Sequence, residues 1–335
     1  MHNIIVIGDT HFGVKNNSLT WLKHQIQGFD EIVNYIEYSI RSFDKITIIH
    51  VGDLFDSRSS INPIIYKEVS RELKRIDEIL DGKGMMYIIG GNHDYYYPNE
   101  TTKNFTGIQM LPKFNSIQYI VKDHIKINIQ GEQNAVLIPW FEFHNLDTLK
   151  GILKNTSQDD IIFTHTDPIH WEANTRKFME GMRLVTGHIH QPSTNENVVI
   201  TGASFPIDFA DANSDRGFWN IVDGNIEKIC FHPIESSIHF FVLYEDDLRN
   251  WKEKDIREDD YVEVLIKSSK IPDYENEIKE LNGRFNVNIS YTPENISIME
   301  NTNEPINVDT VFRKLLPEKL KILYQQMIED CKKNL

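Results

Sequence analysis

A chain of 335 residues with 40% hydrophobic and 25% charged content has ordinary globular composition, enough for a large core and a small appendage. Its formal net charge of −15 excludes nucleic-acid binding through a broadly basic surface, although bound cations would neutralise carboxylates and draw phosphate locally. No apolar run reaches the ~18 residues of a membrane span, Met1-His2-Asn3 enters an apolar run without a basic leader, and Cys230 and Cys331 lack metal-type spacing, so a cytoplasmic protein without membrane contact or disulfides is expected.

In chain order, Ile4–Ile7 reads as a continuously apolar strand, and Phe29, Ile32, Val33, Ile36 and Ile40 recur at helical spacing within 19–43. Ile46–Val51 is a second buried strand, Asn62-Pro63 opens a helix with an amide cap and a proline at the first position, and Met85–Ile89 is a third strand. This β-α-β-α-β beginning predicts an α/β fold with a largely parallel sheet. Shorter strands are expected at Ile117–Val121, Ile125–Ile129 and Ala135–Ile138, then buried strands at Ile161–Phe163 and Arg183–Val185. Asp223-Gly224, between Phe218–Val222 and Ile226–Phe231, predicts a hairpin.

A first domain over 1–234 is followed by a small α+β capping domain over 235–292. The latter reads as strand Ile238–Leu243, a charged helix Glu245–Lys254, strand Tyr261–Ile266, helix Tyr274–Leu281 and strand Phe285–Tyr291. A polar linker over 293–305 leads into a helical tail over 306–335, broken at Pro317.

Five stretches place metal-ligating residue types immediately after strands: Gly8-Asp9-Thr10-His11, Gly52-Asp53-Leu54-Phe55-Asp56, Gly91-Asn92-His93-Asp94, Thr164-His165 and Gly187-His188-Ile189-His190. A lone Asp after a strand is usually a cap or turn residue, and a lone His is usually packing. Ligands bind outside the carboxyl ends of strands in α/β sheets, so five such stretches together are expected to converge.

In this order the stretches resemble the calcineurin-like metallophosphoesterase superfamily over roughly residues 3–222. That resemblance implies a layered β-sandwich flanked by helices and a site for two divalent metal ions. By position, Asp9, His11 and His190 would hold one ion, Asn92, His165 and His188 the other, and Asp53 would bridge them. Oxygen and imidazole ligands without thiolate favour Mn2+, with Mg2+, Fe2+ and Zn2+ open. His93 is expected to face the substrate as a catalytic group at the leaving oxygen, with Asp94 orienting and charging it. Tyr95, Tyr96 and Tyr97 suit either a base-stacking platform or packing.

Details of spelling resemble the DNA-repair branch: bacterial SbcD, the meiotic-recombination-eleven nucleases and, most closely, the recombination endonuclease subunits of T-even-type phages. The marks are Asp9-Thr10-His11-Phe12-Gly13, Leu137-Ile138-Pro139-Trp140, Gly202-Ala203-Ser204-Phe205-Pro206 and Asp215-Arg216-Gly217-Phe218-Trp219. Asp56 stands where archaeal and eukaryotic relatives often carry a second substrate-facing histidine, and Arg58 suits either phosphate contact or a solvated loop. The branch implies a nuclease with 3′–5′ exonuclease action on duplex DNA and endonuclease action on single strands. Its partners would be DNA, a second nuclease subunit and a coiled-coil ABC-type ATPase gripped by the helical tail. A small-molecule phosphodiesterase and a non-catalytic scaffold are the alternatives.

Overall fold

Ile4, Ile5, Val6 and Ile7 are all fully buried, which a strand achieves only when both of its faces are covered. The computed structural model describes residues 1–96, 105–195, 197–212, 214–235 and 238–292. Tyr97, the expected linker over 293–305 and the expected tail over 306–335 lie outside the described residues.

The first sheet joins β1 (His2–Ile7), β2 (Lys45–His50), β3 (Gly84–Ile89), β4 (Ile117–Ile120), β11 (Gly217–Val222) and β12 (Cys230–Pro233). Its order is β12-β11-β1-β2-β3-β4, parallel from β1 to β4, with β11 antiparallel to β1 and β12 antiparallel to β11. The second sheet holds β5 (Ile125–Gln130), β6 (Gln133–Leu137), β7 (Ile161–His165), β8 (Arg183–Gly187), β9 (Ser193–Asn195) and β10 (Val198–Ile200). It runs β5-β6-β7-β8-β10-β9, with β6, β7, β8 and β10 parallel and an antiparallel strand at each edge.

Side-chain alternation builds the layers. Ile4, Val6, Ile49, Val51 and Ile89 meet Ala135, Leu137, Ile161, Phe163 and Val185 between the two sheets. Ile5, Ile7, Ile46, Ile48, Met86 and Ile88 face the helices Leu19–Ser42 and Pro63–Leu80 through Phe29, Ile32, Val69 and Leu73. Val136, Ile162 and Leu184 face Leu149, Ile152 and Met179 on the far side of the second sheet. The protein is therefore a layered α/β sandwich flanked by helices, and its continuous apolar strands follow from burial on both faces. Among the described residues no helix is long and apolar enough to cross a membrane.

The small sheet comprises β13 (Phe240–Tyr244), β14 (Tyr261–Lys267) and β15 (Asn286–Thr292), in that order and all parallel. It belongs with the sandwich to one compact unit, Met1–Thr292. The joint is aromatic: Trp21 stacks on Phe240 at 5.5 Å, and Phe209 meets Phe240 edge-on at 4.9 Å.

Two local expectations change. The charged segment after β13 forms two single 3₁₀ turns, Glu245–Asp247 and Trp251–Glu253, instead of a helix. Only Leu248 and Trp251 enter the core there, at the three-residue spacing of that geometry. Asp223 and Gly224 both adopt positive φ, 50° and 66°, yet they do not close a tight hairpin. Ile226 drops into the core between the sheets, and pairing with β11 begins only at Cys230. The short strands β9 and β10 carry too few residues for a sequence pattern.

Candidate metal centre

The parallel strands β1, β2, β3, β7 and β8 deliver their carboxyl ends to one end of the sandwich, and all seven expected ligands meet there. Close approach explains two of the preceding glycines. A Cβ at Gly187 would lie 2.3 Å from Asp9 Oδ1, and one at Gly91 would lie 2.3 Å from both the amide nitrogen and Oδ1 of Asp53. Left-handed backbone also occurs at the same place, with φ of 44° at His11, 52° at Asp53 and 84° at His188. Such conformations cost ~1–3 kcal/mol each and persist where the surroundings impose them, commonly at functional sites.

The donors fall into two sets around one carboxylate. On one side His11 Nε2 lies 3.2 Å from His190 Nε2, and Asp9 Oδ2 lies 3.9 Å from His190 Nε2. On the other, Asn92 Oδ1 lies 2.9 Å from both His165 Nε2 and His188 Nδ1. Asp53 Oδ2 stands between them, 3.7 Å from His11 Nε2 and 3.2 Å from His165 Nε2.

The donor chemistry fits cations. His165 Nδ1 lies 3.0 Å from the Val51 carbonyl oxygen, which can only accept, so Nδ1 carries a proton. In the neutral ring Nε2 then presents a lone pair to Asn92 Oδ1 and Asp53 Oδ2, three acceptors facing one point. A second proton or a metal ion there satisfies all three. Burial opposes charge on His165, but the carboxylates of Asp53 and Asp9 outweigh it and raise its pKa to about 9. Burial pushes Asp9 up to about 6 against the pull of His165, with Asp53 adding to the rise. Burial would raise Asp53 as well, yet His165 and His11 hold it well below the usual carboxylate range. Burial and the neighbouring His11 lower His190 to about 4. Buried carboxylates that hold a second proton on His165 are the electrostatic condition that a divalent cation relieves by taking that proton's place.

His93 joins this cluster, its ring 5.0 Å from that of His11 and nearly perpendicular to it, and its amide donates to Asp53 Oδ1 at 2.8 Å. The expected Asp94–His93 pair is corrected. Asp94 is buried and its carboxylate accepts from the amides of Gly91, Leu54 and Phe55 at 2.9, 3.4 and 3.3 Å. Through those amides Asp94 staples the Asp53 loop to the Asn92 loop, while burial and the nearby Asp53 raise its pKa to about 7. His93 Nδ1 instead faces the main-chain oxygen of Asp56 at 2.6 Å. The Asp56 carboxylate lies 3.4 Å from His11 Nδ1. Tyr95 is fully buried and donates to the Val121 carbonyl at 2.7 Å, bracing the loop. Arg58 and Tyr96 line a mostly apolar groove of about 840 Å³ with Tyr66, Phe105 and Met110.

Two supports were not recognised from sequence. His50 Nδ1 accepts from the Gly52 amide at 3.3 Å, so its Nε2–H donates to Thr10 Oγ1 at 3.0 Å, and Thr10 donates to the Leu54 carbonyl at 3.1 Å. Burial lowers the His50 pKa to about 3, which keeps this ring neutral and the relay intact. Gln25 donates to the carbonyls of Thr10 and His11 at 2.7 and 3.2 Å from the helix Leu19–Ser42. A polar residue at a fully buried position of an apolar strand, as His50 is in β2, was the available signal.

A family model described as calcineurin-like phosphoesterase matches residues 2–192, a span that contains all seven expected ligands, His93 and Asp94. No curated protein matches the chain.

Proposed function

The chain belongs to the calcineurin-like phosphoesterase family, and from that premise we propose that it is a two-metal DNA nuclease of the SbcD and meiotic-recombination-eleven type. Family membership implies metal-dependent hydrolysis of phosphoesters. The observation that carries the two-metal reading is Asp53, whose Oδ2 lies within 3.7 Å of His11 Nε2 in one donor set and 3.2 Å of His165 Nε2 in the other. Asp9, His11 and His190 would hold one ion, Asn92, His165 and His188 the second, with Asp53 shared. When bound, such a pair supplies Lewis acidity at phosphoryl oxygens and lowers the pKa of water, and Mn2+ suits this oxygen and imidazole set.

The chain's own contribution centres on His93. Its Nδ1–H is committed to the Asp56 carbonyl, which leaves Nε2 as the nitrogen that can serve a leaving-group oxygen. As imidazolium it donates a hydrogen bond or a proton there. Asp94, His50 and Gln25 hold the loops that carry Asp9, His11, Asp53 and Asn92.

The DNA reading is supported by Gly-Asp-Leu-Phe-Asp at 52–56, Gly-Asn-His-Asp at 91–94 and the Asp215-Arg216-Gly217-Phe218-Trp219 stretch. It extends to a complex of two nuclease subunits with a coiled-coil ABC-type ATPase in DNA recombination and repair. The test compares cleavage of linear duplex and single-stranded DNA with that of a chromogenic phosphodiester, each with Mn2+ and with chelator. Manganese-dependent cleavage of both DNA forms supports the nuclease. Turnover of the small ester alone would identify a small-molecule phosphodiesterase, and inactivity on all substrates a scaffold.

A further inference from the structure

We infer that Arg216 is a positioning residue for His190, setting the backbone of that ligand through its carbonyl and tying it to the turn at Asp211. The inference rests on the reading of His190 as a metal ligand. Arg216 immediately precedes β11 and is only 3% exposed, a rare state for arginine unless it is paired. Its Nη1 donates to the His190 carbonyl at 2.7 Å, and its Nη2 to Asp211 Oδ1 at 2.7 Å.

The His190 carbonyl also accepts from the Ala203 amide at 3.0 Å. Two donors on one oxygen fix the peptide plane that follows His190, and with it the direction in which the side chain leaves the backbone. The imidazole itself stays free to face His11. An external brace is needed because His190 lies in the irregular connection between β8 and β9, just after the left-handed residue His188.

Asp211 is anchored in turn. Its Oδ2 accepts from the amides of Ile207 and Asp208 at 2.7 and 3.4 Å, closing the turn Phe209–Asp211. Phe209 of this turn touches Phe240 of the small sheet. Arg216 thus links a metal-ligand loop to the surface on which the small sheet rests.

Stability alone does not explain an arginine here. A buried ion pair is often no better than an apolar pair of similar size, and Arg216 Nε is buried without a hydrogen-bond partner among the described residues. What the guanidinium provides is two donors held in one plane and aimed at two acceptors, a geometry that a single ammonium cannot reproduce.

The test uses the full chain, stripped of metal and titrated with Mn2+ by calorimetry, with the melting temperature of the metal-free protein recorded alongside. His190→Ala is the control for the underlying reading and should lose or severely weaken one of two Mn2+ sites. If it binds both ions normally, His190 is not a ligand and the positioning role falls with it. Given a weakened His190→Ala, Arg216→Met, Arg216→Lys and Asp211→Asn should each weaken one Mn2+ site. The expected loss is about 10- to 100-fold for Arg216→Met, the range seen when residues that orient metal ligands are removed, and less for the other two. Arg216→Lys keeps charge and bulk, so it decides the matter if Arg216→Met does not fold. Wild-type Mn2+ affinity and stoichiometry in Arg216→Lys and Asp211→Asn, whatever their melting temperatures, would show that Arg216 only stabilises the fold.

Discussion

The imidazole of His93 rests on the main-chain carbonyl of Asp56, with Nδ1 and the oxygen 2.6 Å apart. A carbonyl can only accept, so this contact fixes the tautomer as a carboxylate would. Orientation of His93 thus falls to the backbone, and the carboxylate nearest in sequence, Asp94, is left to the loops.

Replacing His93 by Ala or Gln should lower turnover by roughly 10² to 10⁴, the range for a lost general acid, while both Mn2+ ions stay bound. Metal analysis of the purified variants checks this. Because a donor atom of His93 lies within 4.8 Å of donors on His11 and Asp53, loss of one ion would move His93 into the ligand set.

Asp94 should behave in the opposite way. Asp94→Ala leaves the amides of Gly91, Leu54 and Phe55 without their acceptor, and an unsatisfied buried group costs ~1–3 kcal/mol. A loss of at least ~2 kcal/mol in the unfolding of the metal-free protein is expected, with Asp94→Asn intermediate because one oxygen remains. Unchanged unfolding with lowered turnover would return Asp94 to a direct catalytic role.

Asp53→Ala should impair metal binding and cleavage more than His190→Ala or His188→Ala. Its carboxylate serves both donor sets, whereas each histidine serves one. Manganese stoichiometry measured for the three variants discriminates: near-normal binding in Asp53→Ala would dismantle the two-metal assignment.

The clustering of the expected ligands was legible because each stands at or shortly after the end of a buried strand and is spelled by residue type. Asp9, Asp53, Asn92, His165 and His188 needed only a parallel sheet to bring them together. What supports them was hidden for a physical reason: the Asp56 carbonyl and the Gly52 amide belong to the backbone and have no letter of their own. Asp94 misled because adjacency in sequence to His93 suggested a side-chain pair, while a tight turn sent the carboxylate under the loop. The charged segment 245–254 misled because its composition is helical but its two core residues are spaced for 3₁₀ turns.

His50 offers a test of that hidden layer. His50→Leu removes both the acceptor for the Gly52 amide and the donor to Thr10, so the loops carrying Asp9 and Asp53 lose a shared brace. Mn2+ affinity should fall by about 10- to 100-fold, as for other groups that orient ligands. Titration of the metal-free variant measures it. Wild-type affinity would reduce His50 to core packing.

The last prediction concerns the C-terminal segment, read from its sequence. Residues 306–335 carry Phe312, Leu315, Leu316, Leu320, Leu323 and Met327, more large apolar side chains than an exposed tail needs, after a polar stretch ending at Pro305. An amphipathic segment behind such a stretch either covers its own chain or enters a partner's groove. We favour the partner, because in the branch that the motifs resemble the corresponding region grips an ATPase coiled coil. Deleting everything after Asn303 should therefore leave Mn2+ binding and manganese-dependent cleavage intact and abolish capture of the coiled-coil ATPase, together with any ATP-stimulated cleavage. Calorimetry, nuclease assays and co-purification separate the readings. A truncated chain that unfolds would show that the segment covers its own domain, and one that still binds the ATPase would place the docking surface within residues 1–303.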